Sequence, residues 1–98
     1  MRTRTAERPK ETTVLYRGIP YTLDLVRCRR ALVRRQVEGE LDSMNGLAGA
    51  VGISRSTATR FFSGRPTSLA VTLRILGALH LRFEEVARPA GEDEDEDA

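Results

Sequence analysis

The sequence predicts an all-α fold, a compact bundle of about five helices with a central helix-turn-helix. Apolar residues recur at helical spacing over much of the chain. A serine precedes three of the patterned segments, at the position where a helix N-cap is expected. A glycine separates two short segments in the stretch LAGAVGISRSTATRFFSG. No segment predicts a sheet.

The first helix is expected to begin after Thr22 as its N-cap and to run to about Glu38. Tyr21 precedes this cap and is placed to contact Val26, as in a hydrophobic staple. The apolar residues of the segment predict one broad buried face that leaves the arginines largely outside. They are Leu25, Val26, Cys28, Leu32, Val33 and Val37.

The helix-turn-helix is expected to consist of the second and third helices. Ser43 is a credible N-cap for a helix over Met44–Val51. Gly52 ends that helix because glycine readily adopts the left-handed conformation of a helix exit. Ser54 then caps a third helix, over residues 55 to about 63.

The remaining segments are a fourth helix that begins near Ser68 and a short fifth helix over about Phe83–Ala87. Ahead of the first helix, Val14–Tyr16 is either a short strand or an extended lead-in. Gly18 and Pro20 argue against a helix there.

The charge is distributed unevenly along the chain. Sixteen basic and eight acidic residues precede residue 89, a formal net charge of +8, and six carboxylates occupy residues 92–97. We therefore expect a flexible basic arm over residues 1–13, a folded domain over 14–88 and a disordered acidic tail over 89–98. The tail either keeps the protein in solution or competes with nucleic acid for the basic surface.

Several classes of function are not expected. Cys28 is the only cysteine, so a disulfide framework and a cysteine-rich zinc site are excluded, and a small buried hydrophobe is expected at this position. His80 is also alone, and the adjacent Glu84 and Glu85 point apart on a helix, which predicts neither a catalytic pair nor a cofactor site. No apolar run has the length of a signal peptide or a membrane span. We expect a cytoplasmic protein with no membrane partner and no evident small-molecule effector.

The third helix is crowded with hydroxyl and guanidinium groups. If Ala58 and Phe61 face the core, and Ala48 is the small residue where the two helices cross, the polar side chains point outward. They are Arg55, Ser56, Thr59, Arg60 and Ser63. Arginine can bond guanine through two atoms, and serine or threonine can reach bases or phosphates, so this helix is expected to read the major groove of DNA.

These residues resemble a known family. The stretch LAGAVGISRSTATRFFSGRP, followed by SLAVTLRILGALHLRFEEV, is similar to the XRE-type, lambda-repressor-like helix-turn-helix proteins over residues 22–86. The resemblance implies phosphate contacts at the start of the second helix, base or backbone contacts along the third, and strand contacts in the following loop. The implied residues are Ser43, Asn45, Ser54, Arg55, Ser56, Thr57, Thr59, Arg60, Ser63, Arg65 and Thr67.

Other residues either extend the resemblance or depart from it. The basic arm adds DNA contacts at Arg2, Arg4, Arg8 and Lys10, because it resembles the arms that enter an adjacent minor groove. The departures are Ala58 in place of a branched aliphatic residue, His80 in place of the usual turn glycine, Arg82 in place of the usual N-cap, and Met44 where a polar residue often contacts DNA.

The expected function is a sequence-specific regulator of transcription that binds a double-stranded DNA operator, most simply a repressor of phage or mobile-element origin. Two alternatives stay open: an antitoxin that binds a toxin protein and its own operator, and a DNA-architectural or recombination accessory factor. A homodimer on DNA is a further alternative. An apolar cluster ahead of the first helix either packs on its own core or pairs across a two-fold axis. The cluster comprises Val14, Leu15, Tyr16, Ile19 and Tyr21.

Overall fold

The computed structural model describes residues 9–41 and 43–91. In chain order the elements are β1 (Glu11–Tyr16), β2 (Ile19–Asp24), α1 (Leu25–Val37), α2 (Met44–Val51), α3 (Arg55–Phe62), α4 (Leu69–Ala78), α5 (Phe83–Val86) and β3 (Ala87–Pro89). The strands form one antiparallel sheet in the order β1-β2-β3. The fold is therefore mixed α/β, and the prediction of an all-α bundle without a sheet is wrong.

A tight turn at Arg17 and Gly18 joins β1 to β2. Both residues have a positive φ, 56° and 78°, as a two-residue type I′ hairpin turn requires. Pro20 lies in β2, and its carbonyl accepts a hydrogen bond from the Ala90 N–H at 3.0 Å. Gly18 and Pro20, which argue against a helix in this segment, therefore belong to a β-hairpin.

One face of the sheet covers the helical core. Val14 and Leu23 are buried there, with exposed fractions of 3% and 0%. Beside them, the rings of Tyr16, Tyr21 and Phe83 form a cluster with centroids 5.4 to 5.9 Å apart. These tyrosines and Val14 therefore pack within their own domain.

The boundaries of the sheet depart from the expected division of the chain. Residues 11–13, assigned to the basic arm, belong to β1, and Pro89, assigned to the acidic tail, belongs to β3. Leu15 and Ile19 of the apolar cluster remain exposed at 61% and 51%. The sheet therefore buries only part of that cluster.

The first helix begins later than expected. Asp24 is its N-cap and accepts a hydrogen bond from the Arg27 N–H at 3.1 Å. The prediction of Thr22 as the cap is wrong, because Thr22 continues β2. Tyr21, for which a contact with Val26 is predicted, packs on the aromatic cluster.

Only about half of the predicted apolar face of α1 is buried. Val26, Val33 and Val37 are exposed, the last to 81%. The elements that contact α1 most are α3, α5 and β1, and they cover the other half of the face. The buried residues are Leu25, Cys28, Ala31 and Leu32.

The predicted start sites of the next three helices are confirmed. The side chains of Ser43, Ser54 and Ser68 each accept a hydrogen bond from the N–H three residues on, at 3.4, 3.1 and 3.1 Å. Gly52 is the C-cap of α2 with a φ of 75°. The short segment between α2 and α3 is therefore held by a cap on each side.

The crossing of α2 and α3 is tightly packed. Ala48 is 4% exposed, and Leu47, Ala58 and Phe61 are 0% exposed. The Ile53 N–H bonds to the Ala48 carbonyl at 3.0 Å, which closes the turn. Ala58 is fully enclosed at this crossing.

The turn between α4 and α5 contains His80 and Arg82, two residues that are unusual for a helix turn and an N-cap. His80 adopts a φ of 61°, a conformation that histidine reaches more readily than most residues. The Arg82 N–H donates to the Glu85 carboxylate at 2.7 Å, so this glutamate satisfies the start of α5. None of the helices within the described residues is long and apolar enough to cross a membrane.

Substitution of Gly52 by alanine is expected to destabilise the protein by about 1–2 kcal/mol, because an L-residue is strained in the left-handed conformation. Gly49 is the matched control, since it lies within α2 and, like Gly52, has no heavy atom within 4 Å of an added Cβ. G49A should instead stabilise by up to about 1 kcal/mol. Urea unfolding monitored by circular dichroism measures both. Equal effects of the two substitutions would contradict the role given to Gly52.

Candidate nucleic-acid interface

The outward face of α3 brings most of the predicted DNA-contacting side chains together. One shallow depression on the surface is lined by Arg55, Ser56, Thr59, Arg60, Ser63 and Arg65. All six are exposed. The first five lie on or at the end of α3, and Arg65 lies in the loop that follows.

The orientation of this face follows from what α3 buries. Ala58, Phe61 and Phe62 are buried, at spacings of three and four residues that define one side of a helix. The side chains at positions 56, 59, 60 and 63 then fall on the opposite side. Arg55, in the first turn, lies at the edge of the buried side, seven residues before Phe62, and is exposed. Burial of the two phenylalanines therefore determines which polar groups reach solvent.

This face carries positive charge with no internal counter-charge. Arg55, Arg60 and Arg65 form no ion pair with any of the described residues, and no Asp or Glu among them lines the depression. Three guanidinium groups on a surface of this size attract anions, and each keeps its hydrogen-bond donors available.

The start of α2 places a second set of donors near the same surface. Asn45 is exposed in the first turn of this helix. The Ser43 side chain is engaged as the N-cap, where it accepts from the Gly46 N–H. The first backbone N–H groups of a helix and its dipole favour an anion at this end.

Besides Ser43, three of the predicted hydroxyl groups are occupied within the fold. The Ser54 Oγ accepts from the Thr57 N–H and lies 2.9 Å from the Thr57 Oγ1, so these two side chains cap α3. The Thr67 Oγ1 lies 2.9 Å from the Oγ1 of the fully buried Thr72. These groups stabilise the fold, and their hydroxyls are less available to a ligand than those of Thr59 and Ser63. The Ser56 Oγ lies 3.1 Å from the Ser54 Oγ and so joins the same network.

The end of α3 is tied to the segment that precedes β1. The Arg29 guanidinium donates to the carbonyl of Pro9 and, at 3.2 Å, to that of Phe62. The Thr12 hydroxyl donates to the Arg65 carbonyl at 3.4 Å. Sequence reasoning missed these contacts, because they join residues far apart in the chain and no local pattern indicates them.

The basic arm therefore leaves the described structure beside the candidate interface. A Cβ atom at Gly64 would lie 2.9 Å from the Cβ of Pro9, which shows how closely the two segments approach. Lys10 is exposed at this end of the sheet. Arg2, Arg4 and Arg8 lie outside the described residues.

Several other titratable residues have structural contacts away from this face. The Arg35 Nη1 lies 2.7 Å from the Glu40 carboxylate and 2.9 Å from the His80 Nδ1, which links α1 to the turn before α5. Glu84 lies within 3.5 Å of the Arg82 guanidinium. Within the described ranges, no group of three potential ligands could hold a metal ion.

Comparison with known proteins found no relative. No protein-family model matches the chain, and neither the curated proteins nor the solved structures gave a match. The geometry of the chain itself is therefore the basis for a function.

Cys28 lies in the core, with an exposed fraction of 0%. Burial, reinforced by the charge of Asp24 and opposed by that of Arg29, raises the pKa of its thiol to about 12. Because the pKa is raised in the folded state, the free energy of unfolding is expected to decrease as the pH rises above the ordinary thiol pKa and the unfolded chain ionises.

The native protein is expected to react with Ellman's reagent far more slowly than the urea-unfolded chain at about pH 8, because only the thiolate attacks. The chain has a single cysteine, so the released chromophore reports on Cys28 alone. Equal rates for the native and unfolded protein would show that the thiol is accessible and contradict its burial.

Proposed function

We propose that this protein binds double-stranded DNA through α3 and represses transcription by occupying an operator. The observation that carries the proposal is the outward face of α3, on which Arg55 and Arg60 stand exposed and without an ion pair among the described residues. Two short helices joined through a left-handed glycine and packed across a small residue support the same function.

In the proposed complex, α3 enters the major groove, whose width of about 12 Å accommodates a helix. Arg55 and Arg60 bond the edges of bases, and Ser56 and Thr59 reach neighbouring bases or phosphates. Arg65, in the loop after α3, contacts the backbone. All five side chains line the same depression.

The start of α2 supplies the backbone contacts that fix the position of α3. Asn45 and the N–H groups of the first turn of α2 meet a phosphate, as a helix N-terminus favours. A domain bound in this way excludes other proteins from the same DNA, which is sufficient for repression. This activity places the protein in the cytoplasm, with DNA as its partner.

Replacement of Arg55 or Arg60 by alanine is expected to weaken binding to a selected operator by about 1–3 kcal/mol and to relax the base preference at one or two positions. Arg74 is the matched control, because it is an exposed helical arginine on α4 and lies outside the depression. Selection of binding sites from random duplexes, followed by fluorescence anisotropy, measures affinity and preference together.

The comparison with random DNA separates base reading from charge. If R55A weakens binding to the operator and to a scrambled duplex by the same factor, Arg55 contacts phosphate and its assignment to base contacts is wrong. If R55A and R60A bind as R74A does on both duplexes, α3 is not the DNA-binding element and the proposed function is wrong.

Removal of the positive charges of Arg2, Arg4 and Arg8 by serine substitution should lower affinity and reduce the log–log salt slope by about 3 units. The physical reason is that each arginine that meets a phosphate releases counterions, and the arm leaves the domain beside α3. Arg17→Asn is the control, since it removes an exposed charge at the opposite end of β1 and suits a positive φ. An unchanged slope for the triple variant would show that the arm does not touch DNA.

A further inference from the structure

A groove lies between α1 and the end of α3, on the side of the domain where α2 begins. It has a volume of about 510 Å³, within the range of about 300–1,000 Å³ that small-molecule sites occupy. Its apolar walls are Leu32 and Val33 of α1, Met44 of α2 and Phe62 of α3. We call it the α1–α3 groove.

The walls of this groove are incompletely covered. Val33 is 55% exposed, although Leu32 and Phe62, which lie beside it, are each only 8% exposed. The described parts of the protein place nothing over this valine. The groove therefore offers apolar surface that a ligand can remove from water.

The polar side of the groove is cationic. Arg29 lines it, and its Nη2 is fixed by the carbonyls of Pro9 and Phe62, which hold the guanidinium in one position. The Nε and Nη1 groups take part in neither contact, so they retain donors for an oxygen anion. Within the described residues, no Asp or Glu lines the groove.

This combination selects one chemical class. A phosphate group satisfies Arg29 and leaves the walls formed by Val33 and Met44 in water, whereas an apolar molecule without charge offers no acceptor to the Nε and Nη1 groups. A small molecule with an apolar body and one carboxylate or sulfonate fits both sides. We propose that the α1–α3 groove binds a small amphipathic anion of this kind.

The position of the groove also predicts a consequence for DNA binding, and this part rests on the proposed function. Ser43, Thr59 and Ser63 line the groove and also belong to the candidate nucleic-acid interface. An anion held there lies against the surface that phosphates must approach, so it opposes DNA binding. Because the two equilibria are linked, bound DNA lowers the affinity for the anion by the same factor as the bound anion lowers the affinity for DNA.

The anion site is tested without DNA. The probe is 8-anilinonaphthalene-1-sulfonate, whose fluorescence rises in an apolar environment, titrated into the full-length folded protein with octanoate as a competitor. We expect saturable binding of one probe per chain and its displacement by octanoate. Val33→Glu should raise the dissociation constant about tenfold or more, because it places a carboxylate at the mouth of the groove.

Val37→Glu is the matched control. Val37 lies one helical turn from Val33, is 81% exposed and does not line the groove, so V37E adds the same charge to the same helix outside the site. It should bind the probe as the unaltered protein does. Thermal unfolding of both variants shows that the fold is retained.

Three results would overturn the site: equal binding of the probe to V33E and V37E, a probe that octanoate does not displace, and a probe that binds only after residues 2–8 are deleted. The last result would make the basic arm the occupant.

The coupling is tested separately, by anisotropy of labelled operator with and without octanoate. If octanoate binds in a Val33-dependent way and leaves DNA affinity unchanged, the coupling is wrong and the site stands. If no duplex binds at all, the proposed function fails, and the probe titration still decides the site.

Discussion

The packing of α3 across α2 is the constraint on which the rest of the structure depends. The left-handed Gly52 and the bond from the Ile53 N–H to the Ala48 carbonyl set the direction in which α3 leaves the turn. Phe61 then anchors α3, since complete burial of such a side chain contributes about 1.5–3 kcal/mol. The polar face, the α1–α3 groove and the tether to Pro9 all take their positions from α3.

The elements that the sequence predicted well are those whose signals are local. Each serine cap lies three residues from the N–H that it accepts from, and the glycine exit of α2 is a property of one residue. The sheet was missed because its signals are not local. β2 pairs with β3 through Leu23 and Ala87, which are separated by all five helices, and β3 has only three residues.

The hairpin did carry a signal that could have identified it. The alternation of Thr12, Val14 and Tyr16 directs one face of β1 inward, and a two-residue turn follows at once. The signal is weak because Thr12 is a polar residue at a buried position, and because Arg17 fills a left-handed position that usually selects Asn, Asp or Gly.

In the candidate site, too, local features could be predicted from the sequence and tertiary contacts could not. The helical period alone predicts that Ser56, Thr59 and Arg60 share an outward face, with Arg55 at its edge. It does not predict that the hydroxyl of Thr67 turns inward to meet Thr72, since that contact depends on how the loop packs against α4. The role of Arg29 is similarly tertiary, because its guanidinium joins two segments that the sequence separates by more than a helix.

The sheet also bears on the two interpretations of the acidic run. β3 is antiparallel to β2, and the Ala90 N–H bonds to the carbonyl of Pro20 near the hairpin turn, whereas the basic arm leaves beside Gly64 at the other end of β1. Four residues of β2 separate these ends, a distance of about 13 Å along the strand. The described chain therefore ends at Gly91 on the hairpin side of the sheet, and the acidic run follows it in the sequence. A run of carboxylates that starts at this end of the sheet has to span that distance before it can compete with DNA for α3.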